Sequence, residues 1–286
     1  DLRGEAAFAT SFCFSADGQR VVAGAPQFLR LFDVHRPGKQ VDEWVLSTRK
    51  GRGQKGIIST VVASPYTLGT YAAGSYSRSI CVYNESKRGR PTAWLQEDPG
   101  KCEMGGVTHL VWANDHTLLS GHRRDQWIRV WDLRMAGVAR PSAACPSTAS
   151  KALITRIPRN TRTHQRFSFS LLDGILTTGD DTGDVRFFSL LDFSEVGCMS
   201  AAHQRPSVVA MLSPTSPSML LTASGSRSFP DYDIDSEDGD AEPQTDRQEQ
   251  PGRGCGKKAL MPGYMTNPLG PFDNTIRVWQ LDWKQQ

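Results

Sequence analysis

The sequence predicts an all-β fold of β-propeller type, in which one antiparallel unit recurs about five times. Three observations carry this. Apolar segments of about 5 to 8 residues alternate with period two, rich in Val, Ile, Leu and Phe, and none shows a helical period. Gly, Ser, Asp and Pro separate them, which is the punctuation of hairpins. Each unit also carries a Gly read at a turn and ends on an aromatic residue.

In chain order the units are "SFCFSADGQRVVAGAPQFLRLFD" (11 to 33), "ISTVVASPYTLGTYAAGSYSRSICVYN" (58 to 84), "THLVWANDHTLLSGHRRDQWIRVWD" (108 to 132) and "FSFSLLDGILTTGDDTGDVRFFS" (167 to 189). The fifth is split: "SVVAMLSPTSPSMLLTASGSRSFP" (207 to 230) resumes at "FDNTIRVWQ" (272 to 280). The closing aromatics Phe32, Tyr83, Trp131, Phe188 and Trp279 are spaced by 51, 48, 57 and 91 residues, and taking out the 43 residues from 230 to 272 returns the last interval to 48. Each unit supplies three strands, and "DEWVLST", "TAWLQED" and "EVGCMSA" in the linkers supply a fourth. The unit therefore reads as a propeller blade.

At the level of residues the blades resemble the WD40 family. "IRVWD" (128 to 132) and "NTIRVWQ" (274 to 280) match its closing strand, and in "AAHQRPSVV" (201 to 209) His203 stands where the family has its Gly-His histidine. Trp131, Asp132, Trp279, Asp125 and Asp273 fall at structural repeat positions. Asp and His there are expected to serve a hydrogen-bond network that fixes the blade rather than a reaction. The family usually closes with seven blades, so the five units are expected to be part of a seven-bladed ring. A ring must close to hide its edge strands, so about two blades are expected upstream of Asp1, with an exposed edge in the piece at hand.

The 286 residues carry a formal charge of +3, but residues 231 to 250 hold nine acidic residues and one Arg. That stretch accounts for −8, which leaves +11 on the rest of the chain. Such a surplus favours an anionic partner such as a nucleic acid. The segment 231 to 271, acidic first and then rich in Gly, Pro and Lys, is expected to be a disordered insertion within the last blade. It reads as a spacer, or else as an acidic tether or phosphorylation site. Six cysteines without a C-x-x-C pair and six scattered histidines predict free thiols in a reducing compartment and no metal site. No apolar run is long enough for a membrane helix.

Catalytic motifs are missing: there is no Gly-rich phosphate loop, no H-E-x-x-H and no G-x-S-x-G. The chain is thus expected to be no enzyme, to need no cofactor and to take no small-molecule substrate. Outside the generic repeat, "KGRGQKGIISTVVASP" (50 to 65), "YAAGSYSRSICVYN" (71 to 84), "GGVTHLVWANDHTLLSGHRRDQ" (105 to 126), "WDLR" (131 to 134) and "LLTASGSRSFP" (220 to 230) are similar to the telomerase Cajal body protein family. The resemblance covers nearly the whole chain and departs in 135 to 166. It implies a nuclear, RNA-binding scaffold for small Cajal body RNAs and telomerase RNA. Its implied partners are telomerase and the box H/ACA ribonucleoprotein proteins including dyskerin, its implied destination Cajal bodies, and its implied role telomere maintenance.

In the repeat frame "IRVWDLR" is scaffold and "HRRDQ" is the loop it presents, with Ile128 and Val130 facing the core and Arg129 facing outward. A blade turn does not require arginine. Arg123 and Arg124 here, Arg78 and Arg227 at the matching turns, and Arg49, Lys50, Arg52 and Lys55 before the second unit are the RNA-binding candidates, able to hold phosphates in guanidinium forks. Tyr76 and Trp127 are available for base stacking or for packing. A plainer account pairs Arg123 or Arg124 with Asp125 on a solvated surface. Two other classes stay open: a substrate receptor of a cullin-type ubiquitin ligase, suggested by the W-D-x-R box at 131 to 134, and a general platform for protein interactions.

Overall fold

The computed structural model describes residues 8–47, 53–97, 104–138, 150–225 and 274–281. These residues form five antiparallel sheets. The first holds β1 (Ser11–Phe14), β2 (Arg20–Ala25), β3 (Phe28–Asp33) and β4 (Gln40–Val45). The second holds β5 (Ile58–Ala63), β6 (Thr70–Ser75), β7 (Ser79–Asn84) and β8 (Pro91–Leu95). The third holds β9 (Val107–Trp112), β10 (Thr117–His122), β11 (Trp127–Asp132) and β12 (Leu153–Pro158). The fourth holds β13 (Phe169–Leu172), β14 (Ile175–Gly179), β15 (Val185–Ser189) and β16 (Glu195–Met199). The fifth holds β17 (Ser207–Ser213), β18 (Ser216–Ser224) and β19 (Ile276–Gln280). In each sheet the strands pair in chain order, as in propeller blades.

A shared irregularity ties the sheets together as repeats. The register between third and fourth strands shifts between Leu31 and Phe32, Val82 and Tyr83, Val130 and Trp131, and Phe187 and Phe188. A bulge therefore sits at the closing aromatic each time, where it bends the outer strand and increases the local twist.

Consecutive sheets touch through their first strands: β1 with β5, β5 with β9, β9 with β13, and β13 with β17. Each sheet in the middle of the series is sandwiched, so its central strands bury side chains on both faces. Leu118 and Trp131 join the cluster shared with the second sheet, whereas Leu119, Ile128 and Val130 join the one shared with the fourth. This corrects the outward placement of Arg129, which is fully buried, as are both its neighbours on β11. At the ends of the series one face stays uncovered: Phe12 and Phe14 on β1 and Ile276 and Val278 on β19 are exposed.

The recurring glycine also has a different cause from the turn expected of it. Gly24, Gly74, Gly121 and Gly179 lie near the ends of second strands, with the first strand of the next sheet directly against them. A Cβ on Gly24 would meet Ser11 Oγ at 2.5 Å and Ile58 Cγ2 at 2.8 Å, and one on Gly121 would meet Phe169 Cε1 at 2.9 Å. Gly74 faces Val107 in the same way, and Gly179 faces the backbone carbonyl of Ser207. Gly225, at the last described sheet, has only Val208 at 3.9 Å. Gly179→Ala is accordingly expected to cost about 1–3 kcal/mol, the range for overpacking. Gly197→Ala, with Phe187 at 3.6 Å, is the comparison and is expected to leave the denaturant midpoint nearly unchanged.

The segment 231 to 271 lies outside the described residues, as do Arg49, Lys50, Arg52, Arg227 and Asp273.

Candidate functional site

Strand alternation puts the turns between second and third strands at the same end of the sheets as the connections from one sheet to the next. These loops interlock. Gln27 N–H donates to Gly56 O at 3.0 Å, Tyr76 N–H to Ile57 O at 3.1 Å, Arg123 N–H to Gly106 O at 2.9 Å, and Arg124 N–H to Thr163 O at 3.3 Å. Further along, Asp181 N–H donates to Asn160 O at 2.9 Å and His203 N–H to Gly183 O at 3.0 Å. Lys55, Arg78, Arg123 and Arg124 all stand on this end.

Within "HRRDQ" the charges divide into two sets. Asp125 is buried and turns inward: its Oδ2 takes Arg129 Nη1 at 2.6 Å, and its Oδ1 takes Trp127 N–H at 3.1 Å. Arg129 completes its fork on Glu97, with Nε at 2.8 Å and Nη2 at 3.2 Å, and Arg156 Nε reaches the same carboxylate at 2.8 Å. Burial works against the Arg129 charge, but Glu97 and Asp125 outweigh it and raise its pKa above the usual arginine value. Asp125 is thus occupied, and the expected pairing with Arg123 or Arg124 does not form.

Arg123 instead lies over the Tyr76 ring, 4.0 Å from its centroid. Arg124 is exposed, and neither arginine forms an ion pair among the described residues. Arg78 and Arg124 adopt left-handed backbone conformations, with φ of 64° and 50°, where Gly or Asn costs less. Turn geometry therefore does not account for arginine at either place. Lys55 is exposed, and its carbonyl accepts from Ser75 Oγ at 2.6 Å.

Trp131, Trp279 and His203 bond within the sheets. Trp131 Nε1–H donates to Ser120 Oγ at 2.8 Å, Ser120 Oγ meets His122 Nε2 at 2.8 Å, and His122 Nδ1 reaches Gly105 O at 3.1 Å. Trp279, Thr222 and His203 repeat this relay in the fifth sheet, each step 2.8 Å long. In the second sheet Tyr83 O–H donates to Gln54 Oε1 at 2.9 Å, so Gln54 replaces the histidine. Asp132 caps the turn after β11 and holds Arg134 Nη2 at 2.8 Å. The W-D-x-R charges thus satisfy one another, at the end opposite to the basic turns.

The relay in the third sheet needs a neutral imidazole. Burial, helped by Arg129, holds the His122 pKa well below the ordinary value, and burial pushes His109 down to about 4. An unfolded histidine with pKa 6.5 takes up a proton that these two refuse, so stability is full above pH 6.5 and falls as pH drops towards 4. Asp180, whose carboxyl burial raises, opposes this only in the carboxylate range. The thermal midpoint is expected to fall between pH 7 and pH 5, before ordinary carboxylates titrate. A flat midpoint over that window contradicts the assignment.

No family model matches the chain. Among curated proteins, mouse telomerase Cajal body protein 1 is 33% identical over 248 residues, covering 82% of this chain and 41% of that protein. The human telomerase Cajal body protein 1 is 32% identical over 231 residues, covering 78% and 38%. This chain belongs to the telomerase Cajal body protein family. It spans about two fifths of the length of those relatives. A fission yeast protein named guanine nucleotide-binding protein negative regulator 1 is 32% identical over 134 residues, but that match covers only 42% of the chain.

In this member of the telomerase Cajal body protein family, the segment that departs in sequence supplies further arginines to the same end. Between β12 and β13, Arg166 donates from Nε to Thr108 O at 2.9 Å and from Nη2 to Ser59 O at 2.8 Å, clamping the first strands of two other sheets. Arg159 is buried beside the Phe167 ring, and Arg162 is exposed. The basic run "RIPRNTRTHQR" was the signal for them, and only the fold shows which of its arginines point inward.

Proposed function

We propose that this chain is a non-enzymatic RNA-binding scaffold whose basic loop end holds small Cajal body RNAs and telomerase RNA. In this reading it brings their box H/ACA ribonucleoproteins, dyskerin among their proteins, together with telomerase to Cajal bodies in the nucleus, in support of telomere maintenance. One observation carries the RNA reading: the Arg123 guanidinium stacked on Tyr76, with Arg78, Arg124 and Lys55 exposed on the same end of the sheets. Stacked guanidinium planes and aromatics are what unstacked bases pack on, and exposed basic groups hold the phosphates between them. Arg49, Lys50, Arg52 and Arg227 are proposed to add to that surface. Membership of the telomerase Cajal body protein family supports the choice of RNA and destination.

The test is binding of a small Cajal body RNA and of an unrelated RNA of equal length, at about 50 and 200 mM salt. The expected result is preference for the first RNA at both salts and a steep loss of affinity with salt, as phosphate contacts release counterions. Equal, weak binding of both RNAs overturns the proposal in favour of a platform for protein interactions.

A further inference from the structure

The stack that carries the RNA reading joins two sheets: Tyr76 follows β6 in the second, and Arg123 follows β10 in the third. Among the described residues nothing holds the Arg123 side chain except that ring. It forms no ion pair there, and its Nε is closed from solvent without an acceptor. The 4.0 Å approach therefore depends on where the two backbones are placed. Both backbones lean on the connections that lead into first strands. Tyr76 N–H donates to Ile57 O, just before β5, and Arg123 N–H to Gly106 O, just before β9. The second connection runs directly against the pair: a Cβ on Gly106 would meet Tyr76 O at 3.0 Å, and one on Gly105 would meet Arg123 O at 2.1 Å. A shift of either connection is thus passed on to the stack.

Arg166 holds both connections from a third sheet. Its hydrogen bonds, Nε to Thr108 O at 2.9 Å and Nη2 to Ser59 O at 2.8 Å, end two residues past Gly106 and two residues past Ile57. Since Arg166 lies in the link between β12 and β13, the second, third and fourth sheets meet in one guanidinium. Only a planar fork with separate donors answers two carbonyls on different strands, because a lysine ammonium is a single point. Ser59 Oγ adds a tie of its own to Val107 O at 2.5 Å, so losing the fork loosens the two first strands without parting them.

We infer that Arg166 is a positioning residue for RNA: it sets the spacing of the second and third sheets at which Arg123 lies over Tyr76, without touching RNA itself. The inference rests on the RNA-binding function proposed above.

The experiment uses the full chain and a small Cajal body RNA, with affinities measured well below the melting midpoint. The variants are Arg166→Lys, Arg166→Gln, Arg123→Ala, and Arg166→Lys combined with Arg123→Ala. Lys keeps the charge and loses the fork. Both Arg166 variants are expected to fold and to bind RNA about tenfold more weakly, within the range for residues that tune a site they do not touch. In the Arg123→Ala background, Arg166→Lys should change affinity by less than about twofold, because the stack it serves is already gone. If Arg166→Lys binds like the parent and Arg166→Gln does not, the charge meets a phosphate directly and the positioning role is overturned. It is overturned equally if the losses from Arg166→Lys and Arg123→Ala multiply in full, or if neither Arg166 variant weakens binding; the proposed function stands in both cases. Gly179→Ala, which crowds the fourth sheet against Ser207 and away from the stack, controls for a general loss of stability and should bind like the parent. A loss there equal to that of Arg166→Lys, or Arg166 variants that do not fold, would make Arg166 a support of the whole fold and overturn the inference. If the parent binds no RNA, both the inference and the proposed function fail.

Discussion

Arg129→Met is expected to lower the unfolding free energy by about 3–5 kcal/mol, the cost of removing one partner from a buried ion pair. The substitution keeps most of the side-chain volume, so the loss is electrostatic. It strands Asp125, 5% exposed, and leaves Glu97, 4% exposed, with Arg156 alone. It also loosens the loop end, because Asp125 holds Trp127 N–H and accepts through its carbonyl from Thr161 Oγ1 at 2.5 Å. Arg129→Lys is not a rescue, since one ammonium cannot reproduce a fork that serves two carboxylates. Arg134→Ala is the comparison: it breaks an ion pair in the same segment, but Arg134 is two-thirds exposed, and such pairs are worth about 0–1 kcal/mol. Urea unfolding of the two variants measures the contrast. Equal midpoints would show that the buried cluster does not support the blade.

The same segment shows what could be read in the sequence and what could not. The repeat was legible because one packing problem is solved four times among the described residues: a glycine where the next sheet presses close, and an aromatic where the outer strand bulges. Both leave a residue type at a fixed offset. The placement of Arg129 was misread because period-two alternation assumes one wet face, and a sandwiched sheet has none. Strand β12 was missed since "LITRIP" sits after a long Ala-, Ser- and Pro-rich stretch that resembles nothing in the other linkers. His122 reads in sequence as the start of a loop, but it ends β10 and makes there the hydrogen bond that His203 makes from before β17. Arg159 and Arg162 carry identical sequence signals, and only the packing of Phe167 and Gly121 against Arg159 separates a buried guanidinium from an exposed one.

The basic turn is the centre of the functional account, and its test rests on Arg123→Ala combined with Arg124→Asn. Asn is chosen at 124 because it tolerates the left-handed backbone there, so charge is removed without added strain. Neither side chain forms an ion pair among the described residues, and the stability change is expected to stay within about 1 kcal/mol. RNA affinity should respond far more. One hydrogen bond to a charged group is worth about 1.5–3 kcal/mol, so losing even one phosphate contact weakens binding about tenfold or more. The most direct measurement is the salt dependence of small Cajal body RNA affinity for the parent chain and this double variant. The account predicts a weaker complex whose slope of log K against log salt is shallower by roughly 0.7 per lost contact, with the melting curve preserved. Unchanged affinity and slope in a folded double variant would contradict it, and would leave "HRRDQ" as a solvated turn.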